Sequence, residues 1–271
     1  MRIRVNGEPV EMPEGTRLQD LSARHAGSVQ ADLVRILNGY QTADNPVLHE
    51  NDQVVLVPRG VYPPSGELRA MLAARNTPEL TDRLARARVG IAGLGGLGSH
   101  VATALARTGV GCLHLVDFDI VEPSNLNRQV YRLAQLGLPK TEALRREIAD
   151  IAPYCKVITD QVRIDAGNAH RLFAGDDIVC EALDDATAKA MLTDVVLSTL
   201  PHTPLVAASG MAGYASGNAL TTRKITRRFY LCGDGESEAG YGVGLMAPRV
   251  MLCAGHQALT ILRLIAGETE P

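Results

Sequence analysis

The chain contains no tryptophan, three phenylalanines and seven tyrosines. A platform of stacked aromatics for nucleic-acid bases therefore has little to be built from. It contains no Cys-x-x-Cys pair, and its five cysteines stand apart. That argues against a disulfide framework or a four-cysteine zinc site and fits a reducing compartment. There is no long apolar run. The most apolar stretch, Leu252 to Ala266, is interrupted by His256, Gln257 and Arg263, too short and too polar to span a bilayer. The N-terminal residues Met1 to Gly15 carry no apolar stretch of the signal-peptide kind. An excess of one charge is missing too: 27 Lys and Arg against 30 Asp and Glu give a net charge of −3. Nothing general in that balance favours nucleic acid or an anionic membrane as partner. What is present is globular in kind, with 46% hydrophobic and 21% charged residues. The length of 271 residues predicts about two domains. The expectation is a cytoplasmic protein with neither nucleic-acid nor membrane partners.

Residues 1–60 read as short strands around one helix. Ile3 and Val5 alternate with Arg2 and Arg4, and Asn6-Gly7 is the dipeptide that a tight hairpin turn favours. Thr16 is placed to cap a helix running to about His25, with Leu18 and Leu21 on one face. Two further apolar stretches follow, Leu33 to Leu37 and Val54 to Val57. This order of elements is that of a ubiquitin-like β-grasp, and the segment resembles the small sulfur carriers of the ThiS and MoaD type. Those carriers end in a free diglycine carboxylate. Here the last strand continues into Pro58-Arg59-Gly60-Val61-Tyr62-Pro63-Pro64, with one glycine and an unbroken peptide. A carboxyl group locked in a peptide bond has no oxygen to be activated, so this domain reads as a fused accessory module. Pro63-Pro64-Ser65-Gly66 is a linker signal. Glu67 to Ala74 reads as helical, and Thr77-Pro78 opens a helix to about Ala87. The expected division is 1–60 for the β-grasp domain, 61–87 for linker and helices, and 88–271 for the main domain.

Arg88 to Ala92 is a short apolar strand leading into Gly93-Leu94-Gly95-Gly96-Leu97-Gly98, and Ser99 to Thr108 is an amphipathic helix ended by Gly109. Strand, glycine turn and helix supply the context that a phosphate-binding turn requires. A second strand, Cys112 to Val116, delivers Asp117 about 20 residues on, where a carboxylate can accept from ribose hydroxyls. To this point a NAD-dependent dehydrogenase fits equally well. The residues downstream argue otherwise. Arg128 offers a bidentate fork and Lys140 a compact point charge, which suits a triphosphate better than a dinucleotide pyrophosphate. The apolar strand Asp177 to Cys180 then ends in Glu181-Ala182-Leu183-Asp184-Asp185. A carboxylate at such a strand end faces the ligand crevice, which makes Asp184 the candidate Mg2+ ligand.

Taken together, the GLGGLGS turn, the run Asp117-Phe118-Asp119-Ile120-Val121-Glu122-Pro123-Ser124-Asn125-Leu126-Asn127-Arg128-Gln129, the Gly137-Leu138-Pro139-Lys140 segment and the acidic strand end resemble the ThiF/MoeB/HesA family. These are relatives of the ubiquitin-activating enzymes that adenylate a ubiquitin-like carrier with MgATP. The resemblance implies a Rossmann-like, doubly wound α/β sheet preceded by the β-grasp domain. It implies ATP and Mg2+ as cofactors and a homodimer. Carried over residue by residue, Gly93, Gly95, Gly96 and Gly98 would form the phosphate turn. Asp117 would hold the ribose, Asn125, Arg128 and Lys140 the phosphates, and Asp184 Mg2+, with Asp119, Ser124 and Asp185 also in the nucleotide site.

The family pattern is not complete. Two Cys-x-x-Cys pairs that bind zinc in many members are absent, so no zinc is expected. Alignment on Gly244-Leu245-Met246-Ala247-Pro248 puts Gly240 where some members carry a reactive cysteine. The nearest thiol upstream is Cys232, at the base of a Gly- and Glu-rich segment expected to be mobile; it reads either as reactive or as packed. Thr221 to Arg228 is locally basic, either a solvated strand face or an edge for an acidic carrier. An N-terminal arginine that reaches a partner's ATP in relatives would be Arg75 here, or Arg69. The features nearest to ThiF favour a ThiS-type carrier and a persulfide donor such as a cysteine desulfurase. A MoaD-type carrier and a non-catalytic nucleotide-binding scaffold stand beside that reading.

Overall fold

The computed structural model describes residues 1–25, 32–63 and 65–271, so Pro64 of the expected linker lies outside the described residues. The chain forms two compact units, Met1–Asp82 and Arg83–Pro271.

The first unit holds β1 (Arg2–Val5), β2 (Glu8–Glu11), α1 (Leu18–His25), β3 (Leu33–Leu37), β4 (Tyr40–Gln41), β5 (Gln53–Pro58) and α2 (Ser65–Leu72). Its sheet runs β2-β1-β5-β3-β4, with β1 and β5 parallel and the other pairs antiparallel. The β1–β2 turn forms because Asn6 and Gly7 both tolerate positive φ, 49° and 89° here. Thr16 does not cap α1 as expected: its hydroxyl donates to Pro13 O at 2.8 Å. One face of the sheet closes over Ile3, Val5, Leu18, Leu21, Leu48, Val54 and Leu56. The other carries Ile36 and Val55, with Val34 and Val57, under Met71 of α2 and the following Ala74. Both faces of β5 are therefore covered. That is why Val54 to Val57 reads as an unbroken apolar run rather than an alternation.

Helix α3 (Pro78–Arg86) runs across the division between the units. The second unit continues with β6 (Arg88–Ala92), α4 (Gly96–Thr108), β7 (Cys112–Val116), α5 (Lys140–Ile151), β8 (Lys156–Asp160), α6 (Ala169–Phe173), β9 (Ile178–Glu181), α7 (Ala186–Thr199), β10 (Leu205–Ala208), β11 (Thr221–Thr226), β12 (Phe229–Gly233) and α8 (Ala247–Ala266). The sheet order is β11-β12-β10-β9-β6-β7-β8, parallel throughout except for the antiparallel edge strand β11. The helices α6 and α7 pack on Ala92, Val116, Val179 and Leu205 through Leu172, Phe173, Leu192 and Val196. The helices α4 and α8 pack against each other, and α8 against β9, β10 and β12. This is a Rossmann-like sheet preceded by a ubiquitin-like unit. The chain builds outward from β6 through β7 to β8, then returns to place β9 on the other side of β6. That reversal opens a crevice at the carboxyl ends of β6 and β9.

Candidate functional site

The glycine turn fills the mouth of that crevice. Gly93 sits at φ 89°, and a Cβ there would stand 2.7 Å from Ala182 O, at the end of β9. A Cβ on Gly98 would stand 1.9 Å from Gly93 O, so only glycine lets α4 approach the turn. Gly96 opens α4 beside Val250 of α8. Gly95, the residue before α4, differs: no heavy atom outside the turn comes nearer to its Cβ position than Gln129 Nε2, at 3.8 Å. Backbone is thus available to a ligand at Gly95, where the helix N–H groups converge.

A carboxylate and a phenol hold the turn's Leu94 from its two sides. Asp117 Oδ2 accepts from Leu94 N–H at 2.6 Å, and Tyr131 donates its hydroxyl to Leu94 O at 2.8 Å. Burial, reinforced by the charges of Asp117 and Asp119, pushes the Tyr131 hydroxyl well above its ordinary pKa, which keeps it a donor. The other oxygen of Asp117 accepts from Asp119 N–H at 2.8 Å. Asp117, expected at the ribose, is in this structure the residue that anchors the glycine turn. Lys140 opens α5 with its side chain only 7% exposed, and its Nζ lies 2.9 Å from Asp119 Oδ2. Its backbone N–H bonds Asp119 O as well. Asp119, expected at the nucleotide, is in this state the partner that orients the lysine.

Arg128 donates through Nη1 to Ser124 O and Asn127 Oδ1, each at 3.0 Å. Its own carbonyl meets His100 Nε2 of α4 at 3.1 Å. Burial lowers the pKa of His100, so the neutral ring with its proton on Nε2 suits this contact. Asn125 is buried and accepts from Glu122 N–H at 3.0 Å, shaping the turn that carries Arg128. Ser124 contributes its carbonyl to this framework. Sequence reasoning singled out neither His100 nor Tyr131 for this role, and it quoted Gln129 only as part of a motif.

At the end of β9 the two adjacent aspartates separate. Asp185 caps α7, accepting from Ala188 N–H at 2.8 Å. Asp184 is exposed and has no hydrogen-bond or ion-pair partner among the described residues. Glu181, buried, takes Lys189 Nζ at 2.9 and 3.0 Å and Leu183 N–H at 2.7 Å. Burial raises its carboxyl pKa against the pull of Lys189. This pair ties the strand end to α7 and was not foreseen.

Of the two readings of Cys232, its burial favours the packed one. The thiol is 0% exposed on β12, packed against Thr222 and Thr260, and burial raises its pKa. A neutral, sealed thiol is a poor nucleophile. The Gly- and Glu-rich segment above it is anchored at its start. Asp234 accepts from Glu236 and Ser237 N–H groups and pairs with Arg249 of α8, which also donates to Ser216 O at 2.8 Å. Arg75 belongs to the first unit, where it donates to Gln41 Oε1 at 2.6 Å. Of the basic segment, Lys224 pairs with Glu270, and Arg228 donates to the carbonyls of Leu197, Leu200 and Thr203. Arg223 and Arg227 remain exposed at the edge.

The profile of the ThiF family matches residues 68–271, and that of ThiS-like ubiquitin matches residues 1–60. This chain belongs to the ThiF family. It is 33% identical over 192 residues to the adenylyltransferase and sulfurtransferase UBA4 of Candida glabrata, a match covering 68% of this chain and 44% of that protein. It is 40% identical over 119 residues to the SAMP-activating enzyme E1 of Haloferax volcanii, covering 44% of each chain. The matched region thus spans under half the length of these relatives. Among solved structures, the E. coli tRNA N6-threonylcarbamoyladenosine dehydratase TcdA in complex with ATP superposes with a TM-score of 0.64 at 23% identity, over 73% of this chain and 92% of that one. That likeness concerns the fold. Among the described residues, no helix is long and apolar enough to cross a membrane.

Proposed function

We propose that the chain uses ATP to adenylate the C-terminal carboxylate of a ubiquitin-like sulfur carrier, and that this carrier is of the ThiS type. The observation that carries the reading is Lys140, a nearly buried cation held by Asp119 and linked through Asp119 and Asp117 to a glycine turn with an open Gly95. A dinucleotide leaves Lys140, Arg128 and Asp184 without a task, whereas a triphosphate of about −4 charge engages all three. The names of the relatives, adenylyltransferases and activating enzymes, support the same chemistry.

A carboxylate oxygen of the carrier attacks the α-phosphorus and forms the acyl–O–P bond. The bond from that phosphorus to the bridging oxygen breaks, and its electron pair leaves with pyrophosphate. A carboxylate is already ionised near neutral pH, so the step needs no general base. What the chain supplies is alignment by the turn and neutralisation of phosphate charge by Arg128 and Lys140. Magnesium adds charge neutralisation when bound. A single free carboxylate, Asp184, together with the substrate phosphates is a donor set that suits it. The outer sulfur of a persulfide donor such as a cysteine desulfurase then attacks the acyl carbon and AMP leaves, giving an acyl disulfide. A thiol reductant attacks the donor's sulfur, forming a disulfide with it and releasing the thiocarboxylate used for the thiazole half of thiamine. The reading includes a cytoplasmic homodimer and a carrier that docks by way of Arg223 and Arg227. Charge reversal there slows association and leaves ATP affinity unchanged.

The test is exchange of labelled pyrophosphate into ATP with each candidate carrier supplied separately. Exchange with a ThiS-type carrier supports the reading. Exchange only with a MoaD-type carrier moves the activity to that substrate, and no exchange with any carrier favours a non-catalytic nucleotide-binding scaffold.

A further inference from the structure

Gln129 follows Arg128, and its side chain reaches the glycine turn at Gly95. Its backbone N–H donates to Asn125 O at 3.0 Å, closing the turn that carries the arginine. The residue is 8% exposed. Its Oε1 is sealed from solvent and has no hydrogen-bond partner among the described residues. Its Nε2 is the atom nearest the open side of Gly95, 3.8 Å from where a Cβ would stand. Burying an amide oxygen without a partner is unfavourable, and an apolar side chain of the same length would fill the space without that penalty. The orientation gives the amide a use: its oxygen points into the interior, and the positive end of its dipole faces the side from which the helix N–H groups receive an anion.

We propose that Gln129 is a further nucleotide-binding residue whose Nε2 donates to a phosphate oxygen seated against Gly95. The inference rests on the nucleotide reading above and adds a contact to it. The test compares wild type with Gln129→Met, which keeps the volume and removes the amide. ATP affinity is measured by calorimetry, and thermal unfolding is followed with and without MgATP. A hydrogen bond to a charged group predicts a Kd raised by about 10- to 100-fold. Without nucleotide the variant melts at the same temperature as wild type or higher, because an unpartnered polar group has left the interior, and the rise in Tm on adding MgATP shrinks. A variant that binds ATP like wild type overturns the assignment and leaves the nucleotide reading standing. Loss of binding accompanied by a lowered Tm without nucleotide also overturns it, since that pattern marks a structural role. If wild type itself does not bind ATP, the nucleotide reading fails first. Should the methionine variant not fold, Gln129→Asn, which retracts the amide by one methylene, is read by the same criteria.

Discussion

Replacing Lys140 by methionine separates the chemistry of the site from its folding. The Lys140 side chain is 7% exposed and that of its partner Asp119 is 45% exposed. Asp119 keeps access to water after the change, and methionine occupies most of the space the lysine stem fills. Because the carboxylate left behind is hydrated rather than buried, the loss is that of a partly exposed ion pair, and a change of about 1 kcal/mol is expected. The effect on a phosphate is larger. Two unit charges about 4 Å apart interact by roughly 4 kcal/mol at an effective dielectric of 20. The part gained only as charge develops in the transition state sets the effect on turnover. Two to four kcal/mol of that would be roughly a 30- to 1,000-fold loss, at about 1.4 kcal/mol per factor of ten. The assay is carrier-dependent pyrophosphate exchange, with kcat and KM for ATP determined separately and urea unfolding run in parallel. The expected outcome is a fall in kcat of about 10²-fold, a smaller change in KM and a small change in the unfolding midpoint. Exchange within threefold of wild type would show that the Lys140 charge does not act on the reacting phosphates.

Three further outcomes follow from the same structure. His114 is buried on β7, with Nδ1 2.8 Å from Asp176 and Nε2 2.9 Å from Asp160. Burial lowers its pKa, but the two carboxylates outweigh it and the net shift is upward. A raised folded-state pKa gives stability that is full below the unfolded value near 6.5 and is lost as pH rises through the folded value. The urea midpoint of wild type should therefore fall over that window more than that of His114→Gln; parallel curves would refute the linkage. Gly98→Ala drives a Cβ to 1.9 Å from Gly93 O and should destabilise the chain by about 3 kcal/mol or more in chemical unfolding, whereas Gly95→Ala should fold normally and weaken ATP binding in calorimetry. Cys232→Ala should retain adenylation and thiocarboxylate formation, and native wild type should resist alkylation at that position when modified cysteines are mapped by mass spectrometry; rapid labelling would contradict its burial.

Much of this was legible in the chain because it is local. Asn6-Gly7 specifies its turn through the backbone freedom of two adjacent residues. The glycine run between β6 and α4 is set by close approach, although α4 starts at Gly96 rather than Ser99 because the turn residues themselves enter the helix. Lys140 and Arg128 stood out because a triphosphate calls for dedicated cations and both lie in segments that follow the glycine turn in a recognisable order. What escaped is non-local. Tyr131 finds its acceptor 37 positions earlier in the chain, and His100 meets a carbonyl 28 positions away, so no periodicity announces either. Asp119 and Asp185 look like free carboxylates in a sequence, yet one orients a lysine and the other caps a helix. Cys232 is a case where a local signal existed: Phe229-Tyr230-Leu231-Cys232 is an unbroken apolar run, the pattern of a strand inside a parallel sheet.

The helix laid over Val34, Ile36, Val55 and Val57 determines where the polypeptide can be divided. The ubiquitin-like profile stops at residue 60, before α2 begins, so a fragment cut there would bare a strip of four β-branched side chains. Each loses about 1.5–3 kcal/mol of burial if it passes fully into water. Such a fragment would tend to self-associate. One continued to Asp82 keeps its own cover. The helix also stands in the chain where a carrier would present its free end, so restoring a terminal carboxylate at residue 60 would at the same moment strip the sheet. Trimming alone therefore cannot give this module both a free carboxylate at residue 60 and a covered sheet.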